Sequence, residues 1–244
     1  MLRPDKTARH AWVGLMFDST IDLRPRSALG ASAAARLHRR NTEQVAIRLL
    51  DLAIAICVIL FALPLLIGIA LSVWLQDGGA AVFAHERIGR SGRVFKCLKF
   101  RTMVPNASER LAALLNDDPV ARAEWSRDHK LRNDPRITRI GAFLRRSSLD
   151  ELPQLFNVLR GDMGIVGPRP IVEAEIPRYG TRFRHYCAVK PGITGLWQVS
   201  GRNDVSYRRR VAMDTIYARH KSLLWDVQLV FLTVPAVLFA SGSY

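Results

Sequence analysis

The sequence predicts an α+β chain, predominantly helical, arranged as a monotopic membrane protein. An N-terminal re-entrant helical hairpin should precede a small cytosolic domain with short strands and interfacial amphipathic helices. Three observations carry this expectation. An uncharged apolar run, Leu52 to Leu75, is interrupted by Pro64. Basic residues flank that run on both sides. The remainder mixes short apolar runs and turns with basic helical patterns.

Residues 1–44 combine Arg, Ala, Ser and Pro with little apolar periodicity and read as a basic flexible tail. The long apolar run starts too late for a secretory signal. The tail either rests on anionic headgroups, at roughly 1 kcal/mol per well-placed basic residue, or stays in solution. Residues 45–76 form the membrane element. At about 1.5 Å per residue, a straight helix over the uncharged run would just cross a bilayer core. Against a span stands Pro64, which deletes a backbone hydrogen bond and kinks the helix, with Gly68 loosening the next turn. Arg36, Arg39, Arg40 and Arg48 precede the run, and Arg87, Arg90, Arg93, Lys96, Lys99 and Arg101 follow it, which favours both ends in the cytosol. A helix that dips into one leaflet and returns at Pro64 is therefore expected, ahead of a span or a buried core helix.

Residues 77–204 form the main domain and residues 205–244 complete it. After Asp77-Gly78-Gly79, the Arg87-Ile88-Gly89 and Ser91-Gly92 turns suggest a hairpin. Phe95 to Met103 alternates basic and apolar residues, placing Lys99 and Arg101 on one side of an extended segment. Leu111 to His129 reads as an exposed helical insertion. In Arg136 to Ser148, Arg136, Arg139, Arg145 and Arg146 alternate with apolar residues at helical spacing, giving a cationic helix face. Asp150 and Glu151 then open a further helical pattern, Leu149, Leu152, Leu155, Phe156 and Leu159, which puts both carboxylates in its first turn, where free N–H groups stabilise their anions. Lys190 to Arg202 is a glycine-rich loop region whose Trp197 belongs in the core. Val205 to His220 reads as a basic amphipathic helix. Leu223 to Ala240 is apolar but broken by Asp226, Gln228 and Pro235, as in an interfacial or packed helix.

The net charge of +15 calls for an anionic partner: nucleic acid, an acidic membrane surface or phosphorylated substrates. Three dispersed cysteines lack the spacing of a disulfide framework or zinc site, and the six histidines do not cluster. The densest chemistry lies in LRRSSLDELPQLFNVLRGDMGIVGPRP, Leu144 to Pro170. A fixed carboxylate there suits a nucleophile or a ligand for a hard divalent cation. Ser148 and Glu151 also fit a capping box, in which both side chains merely satisfy backbone donors. Gly161, Gly164 and Gly167 free the following backbone, while Pro168 and Pro170 bracket Arg169 and aim its guanidinium, a fork suited to phosphate oxygens. An ordinary turn with a solvated arginine is the alternative.

The strings SLDELPQL, GDMGIVGPRP and KPGITGLWQVSGRN, with FKCLKFRTM and DPRITRIGAFLRRSSLDELPQL, resemble the bacterial sugar transferases, or monotopic phosphoglycosyl transferases. The likeness runs from near Arg48 to the C-terminus and, through RNDVSY, is greatest to the ExoY type of undecaprenyl-phosphate galactose phosphotransferase. One departure is that Ala62-Leu63 precedes Pro64 where the family often has serine before the proline. The resemblance implies transfer of a sugar-1-phosphate, galactose-1-phosphate above others, from a UDP-sugar to undecaprenyl phosphate, releasing UMP in exopolysaccharide synthesis. Catalysis would fall to Asp150 and Glu151, the former forming a covalent phosphosugar. Mg²⁺ would be held by the same two residues, and the phosphates by Lys99, Arg101, Arg145 and Arg169. The setting implied is the cytoplasmic face of the bacterial inner membrane, against membrane lipids, with room for a homo-oligomer and no nucleic acid. Glucose or another UDP-sugar is the nearest alternative. A basic membrane-associated scaffold or nucleic-acid-binding protein is the alternative of another class. The absence of a G-x-x-x-x-G-K-[ST] loop agrees with an exchange of diphosphate bonds that needs no ATP.

Overall fold

The computed structural model describes residues 33–128, 131, 134–201 and 205–238. Helix α1, Ala33–Leu75, is 43 residues long and holds Pro64 within it. It starts inside the segment read as a tail, because Ala, Leu and Arg in AAARLHRR are strong helix formers that extend the apolar helix backward. The rest of that tail, residues 1–32, lies outside the described residues. Pro64 does not end the helix, so the expected two-armed hairpin is not seen as separate elements. Among the described residues α1 is the one helix long and apolar enough to cross a membrane.

Strands β1 (Val82–Ile88) and β2 (Val94–Phe100) form the expected antiparallel hairpin, with Phe83 opposite Lys99, His85 opposite Cys97 and Arg87 opposite Phe95. Helices α2 (Ala107–Asp117) and α3 (Pro119–Asp128) make the insertion, divided where Pro119 cannot continue a helix. Helix α4 (Arg139–Ser147) is N-capped by Thr138, whose side chain accepts from the Gly141 N–H at 2.9 Å. Arg136 lies outside it, paired with Asp134 and stacked 5.1 Å from the Trp125 ring. The helix expected from Leu149 is divided as well: Leu149–Glu151 is a single 3₁₀ turn, and α5 (Gln154–Arg160) starts after Pro153. Proline has no N–H to donate into a preceding turn, so it sits at the boundary.

Strand β3 (Gly164–Val166) pairs in parallel with β4 (Gly192–Thr194). Between them run α6 (Ile176–Tyr179) and α7 (Phe183–Ala188). Helices α8 (Leu196–Ser200), α9 (Tyr207–His220) and α10 (Leu223–Leu238) close the domain. Trp197 is buried as expected, under the Arg210 guanidinium at 4.5 Å.

Both halves of α1 are walls of this domain. Its N-terminal half gives Ala55 to a core shared with Cys97, Leu155, Val158, Met163, Tyr217 and Leu229. Its C-terminal half gives Leu66, Ile69 and Val73 to a second core with Phe100 and Leu144. Polar ties fix both ends. Arg48 donates to the Val158 and Leu159 carbonyls at 2.7 and 3.0 Å, satisfying the free C-terminal carbonyls of α5. Asp51 accepts from the Ile165 N–H at 2.8 Å. At the other end Arg101 donates to Asp77 at 2.9 Å and to the Val73 carbonyl at 3.2 Å. The face of α1 turned away stays bare: Leu60, Phe61, Ile67, Leu71 and Trp74 are exposed, Phe61 at 91%. A soluble chain does not leave a stripe of that size in water.

Candidate active site

The strand pairing decides which side chains meet. On β2 the odd-numbered positions share a face, and the register adds Arg87 from β1, so Arg87, Cys97 and Lys99 point the same way. The edge of β2 away from β1 is held by Asn157, which is fully buried in α5. Its Oδ1 accepts from the Leu98 N–H at 2.9 Å, and its Nδ2 donates to the Lys96 carbonyl at 2.8 Å. That clamp sets β2 at a fixed height against α5 and the turn before it. Lys99 consequently lands on the two adjacent carboxylates. Its Nζ lies 2.6 Å from Glu151 Oε1 and 3.5 Å from Asp150 Oδ2.

Burial and charge act differently on the two acids. At Asp150 desolvation dominates and raises the carboxyl above its ordinary value, with the Lys99 and Arg145 cations opposing and the Glu151 anion assisting. The stabilisation expected from helix N–H groups does not prevail, because the segment is one short turn. At Glu151 desolvation also acts upward, but Lys99 and Arg169 outweigh it and hold this acid below the usual range. The adjacent carboxyls are thus pushed apart, Asp150 above its ordinary value and Glu151 below it. The capping-box alternative is not seen: Ser148 takes a left-handed conformation at φ 59°, makes no side-chain cap bond, and Glu151 is engaged by Lys99.

Arg169 occupies the opposite wall. The Gly167–Ile171 segment is laced to its neighbours by the Gly192 N–H on the Pro168 carbonyl, the Arg87 guanidinium on the Pro170 carbonyl, and the Ile88 N–H on the Ile171 carbonyl. The backbones approach so closely that a Cβ on Gly167 would lie 2.4 Å from the Lys190 carbonyl oxygen. Pro168 and Pro170 are buried while Arg169 between them is exposed. Arg87, Cys97, Lys99, Glu151, Gln154, Arg169 and Gln198 line one cleft. Arg145 approaches the carboxylates from another side, its Nε donating to Thr102 Oγ1 at 2.9 Å. Helix α4 is pressed against Thr102, where a Cβ on Gly141 would fall 2.0 Å from the carbonyl oxygen.

Of the six predicted residues, Asp150, Glu151, Lys99 and Arg169 are brought together, with Arg145 adjoining Asp150. Arg101 is not. Strand β2 ends at Phe100, and the Arg101 guanidinium turns to Asp77 and the end of α1, so it is already committed there. Arg87, Gln154 and Gln198 were missed. Arg87 was recoverable from the hairpin register, whereas the two glutamines carry no local signal. Gln198 donates to the Ile193 carbonyl at 2.9 Å, while its buried Oε1 has no partner among the described residues. No group of three or more His, Cys, Asp or Glu is assembled among the described residues. Asp150 and Glu151 are the two carboxylates at this place that could serve a divalent cation, and the Lys99 ammonium stands between them.

Residues 42–240 match the family model for bacterial sugar transferases. Over 197 residues the chain is 55% identical to a UDP-galactose-lipid carrier transferase of Erwinia amylovora and 52% identical to an undecaprenyl-phosphate galactose phosphotransferase of Salmonella typhimurium. Each match covers 81% of this chain and 41% of the relative, so the chain spans under half of their length. It is 49% identical to the exopolysaccharide production protein ExoY of Sinorhizobium fredii, covering 81% of this chain and 87% of that protein.

Proposed function

The chain belongs to the bacterial sugar transferase family, and from that premise we propose that it moves galactose-1-phosphate from UDP-galactose to undecaprenyl phosphate, releasing UMP. The observation that carries this reading is the Lys99 ammonium bridging Asp150 and Glu151 in a cleft walled by Arg87 and Arg169. The donor diphosphate would lie between Lys99 and the two arginines, whose forked donors match its oxygens. An Asp150 oxygen attacks the sugar-bearing phosphorus. The bond from that phosphorus to UMP breaks, and UMP takes the electron pair. An oxygen of the lipid phosphate then attacks the same phosphorus, the bond to Asp150 breaks, and the carboxylate is regenerated. One diphosphate bond replaces another.

Lys99 and Arg145 favour the Asp150 anion and offset part of the desolvation that raises its carboxyl. Glu151 keeps Lys99 in place and, being anionic at neutral pH, is the better standing ligand for a divalent cation. Asp150 and Glu151 would hold Mg²⁺, which when bound neutralises diphosphate charge. The bare stripe of α1 supports contact with lipid, and we place it in the cytoplasmic leaflet, where the lipid phosphate would be met at the surface.

The test is UMP release from a panel of UDP-sugars with detergent-solubilised protein, undecaprenyl phosphate and Mg²⁺. Lipid-dependent release with UDP-galactose, lost in Asp150→Asn, is expected. No release with any sugar would move the reading to a non-catalytic scaffold.

A further inference from the structure

Away from the carboxylate cleft, α7 and the turn preceding it lie against α9 and leave a cavity of about 340 Å³. Arg182, Arg184, His185 and Arg219 surround it, with Thr181 and Ile216 between them, and no aspartate or glutamate lines it. A few arginines of this fold are paired with acids, as Arg101 is with Asp77 and Arg136 with Asp134. Here Arg219 is hydrogen-bonded to His185 Nε2 at 3.4 Å, a neutral ring nitrogen and not a carboxylate. Among the described residues, none of these three arginines forms an ion pair with a carboxylate. Desolvation, and then the Arg219 and Arg184 charges, hold His185 below its ordinary value. Arg182, Arg184 and Arg219 are exposed, so water screens much of their mutual repulsion, and an anion seated among them would gain from all three.

We propose that this cavity is a second anion site, separate from the carboxylate cleft, which binds a phosphate group carried on a larger molecule. Planar guanidinium forks from two helices can take a phosphate from different sides, and the Ile216 wall suits the carbon atoms attached to it. Its position favours a lipid headgroup as the source. Arg219 lies in the last turn of α9, and just beyond that helix the Leu223 N–H donates to Glu43 of α1 at 3.2 Å, while Leu224 is exposed. The cavity therefore lies near the place where the polar N-terminal part of α1, which leads into the apolar run, meets the domain. A soluble phosphate ester offers the same chemistry from the other side.

Binding to the full chain in micelles separates these sources. The probes are dihexanoylphosphatidylglycerol, with dihexanoylphosphatidylcholine as control, and inorganic phosphate, with chloride at equal ionic strength as control. Calorimetric titration should show binding of phosphatidylglycerol, phosphate or both. Arg184→Gln/Arg219→Gln should weaken it on the order of tenfold or more, since two charge-assisted contacts go. Lys99→Ala/Arg169→Ala in the other cleft should leave it in place. The His185 ring resonances should titrate at higher pH once the probe is bound. Phosphatidylglycerol alone binding identifies the headgroup, and equal binding of phosphate identifies a soluble source. Arg184→Lys/Arg219→Lys keeps the charge and should retain part of the affinity, which separates loss of the site from loss of the fold. Binding unaffected by the glutamine pair, binding lost in the Lys99/Arg169 pair, or no binding of either probe would overturn the proposal.

Discussion

At Asp150, burial and charge pull in opposite directions and burial prevails, so the carboxyl titrates above its ordinary value. An enzyme that needs this anion should lose rate on acidification at a pH above the usual carboxylate range. Lys99→Met removes the largest opposing charge, so the acid limb of its pH–rate profile should move to still higher pH as kcat falls. An unmoved limb would separate Lys99 from Asp150. Asp150→Asn should abolish turnover and, at pH 8, leave the melting temperature equal or higher. The sign follows from the raised value: above the unfolded-state pKa the buried anion costs stability, and asparagine removes it. A large drop in melting temperature would show a structural role instead. At this scale Asp150, Glu151 and Arg169 were legible because each sits in a short segment whose neighbours restrict it. Gln154 and Gln198 were not, since they reach the cleft from α5 and α8 through contacts that no local pattern records.

Among the elements, the β1–β2 hairpin does most to build the site, and Asn157 holds it. Asn157→Ala would strip the Leu98 N–H and Lys96 carbonyl of their partners in a buried place, which should cost roughly 3 kcal/mol in urea unfolding. Lys99 would also lose its registration, so activity should fall more than stability alone explains. Arg101→Ala tests the reassignment of that residue. It should lower the melting temperature by releasing α1 from β2 while leaving KM for the sugar donor nearly unchanged. A large rise in KM at constant melting temperature would return Arg101 to the phosphates. The hairpin and the cationic helix were readable from alternation and from helical spacing. The strand's end at Phe100 was not, because it depends on what Asp77 offers across the fold. Pro153 was the local clue to the divided helix, outweighed in the reading by a leucine period that ran straight through it.

For the molecule as a whole, the apolar run and the charge announced a membrane setting and an anionic partner, while the way the helices bury acids was invisible. Asp214 of α9 accepts a hydrogen bond from Tyr179 at 2.7 Å, and desolvation pushes it up to about 7. Between the unfolded-state value and that pH, the folded state holds a proton that the unfolded chain has released. Stability should therefore decline as pH rises through this window and level off above it, by on the order of a few kcal/mol. Urea midpoints in micelles at pH 5 and 8 should show the decline, and Asp214→Asn should flatten it. The shared walls of α1 have a further consequence. Because Ala55, Leu66, Ile69 and Val73 face inward while Phe61 faces outward, the segment that meets the lipid is also half of what the domain folds around. A chain begun at Asp77 would not be an untethered enzyme but a shell with its filling removed, prone to clump. Tether and core are here one piece, and exchanging α1 for an unrelated anchor should disturb the cleft along with the attachment.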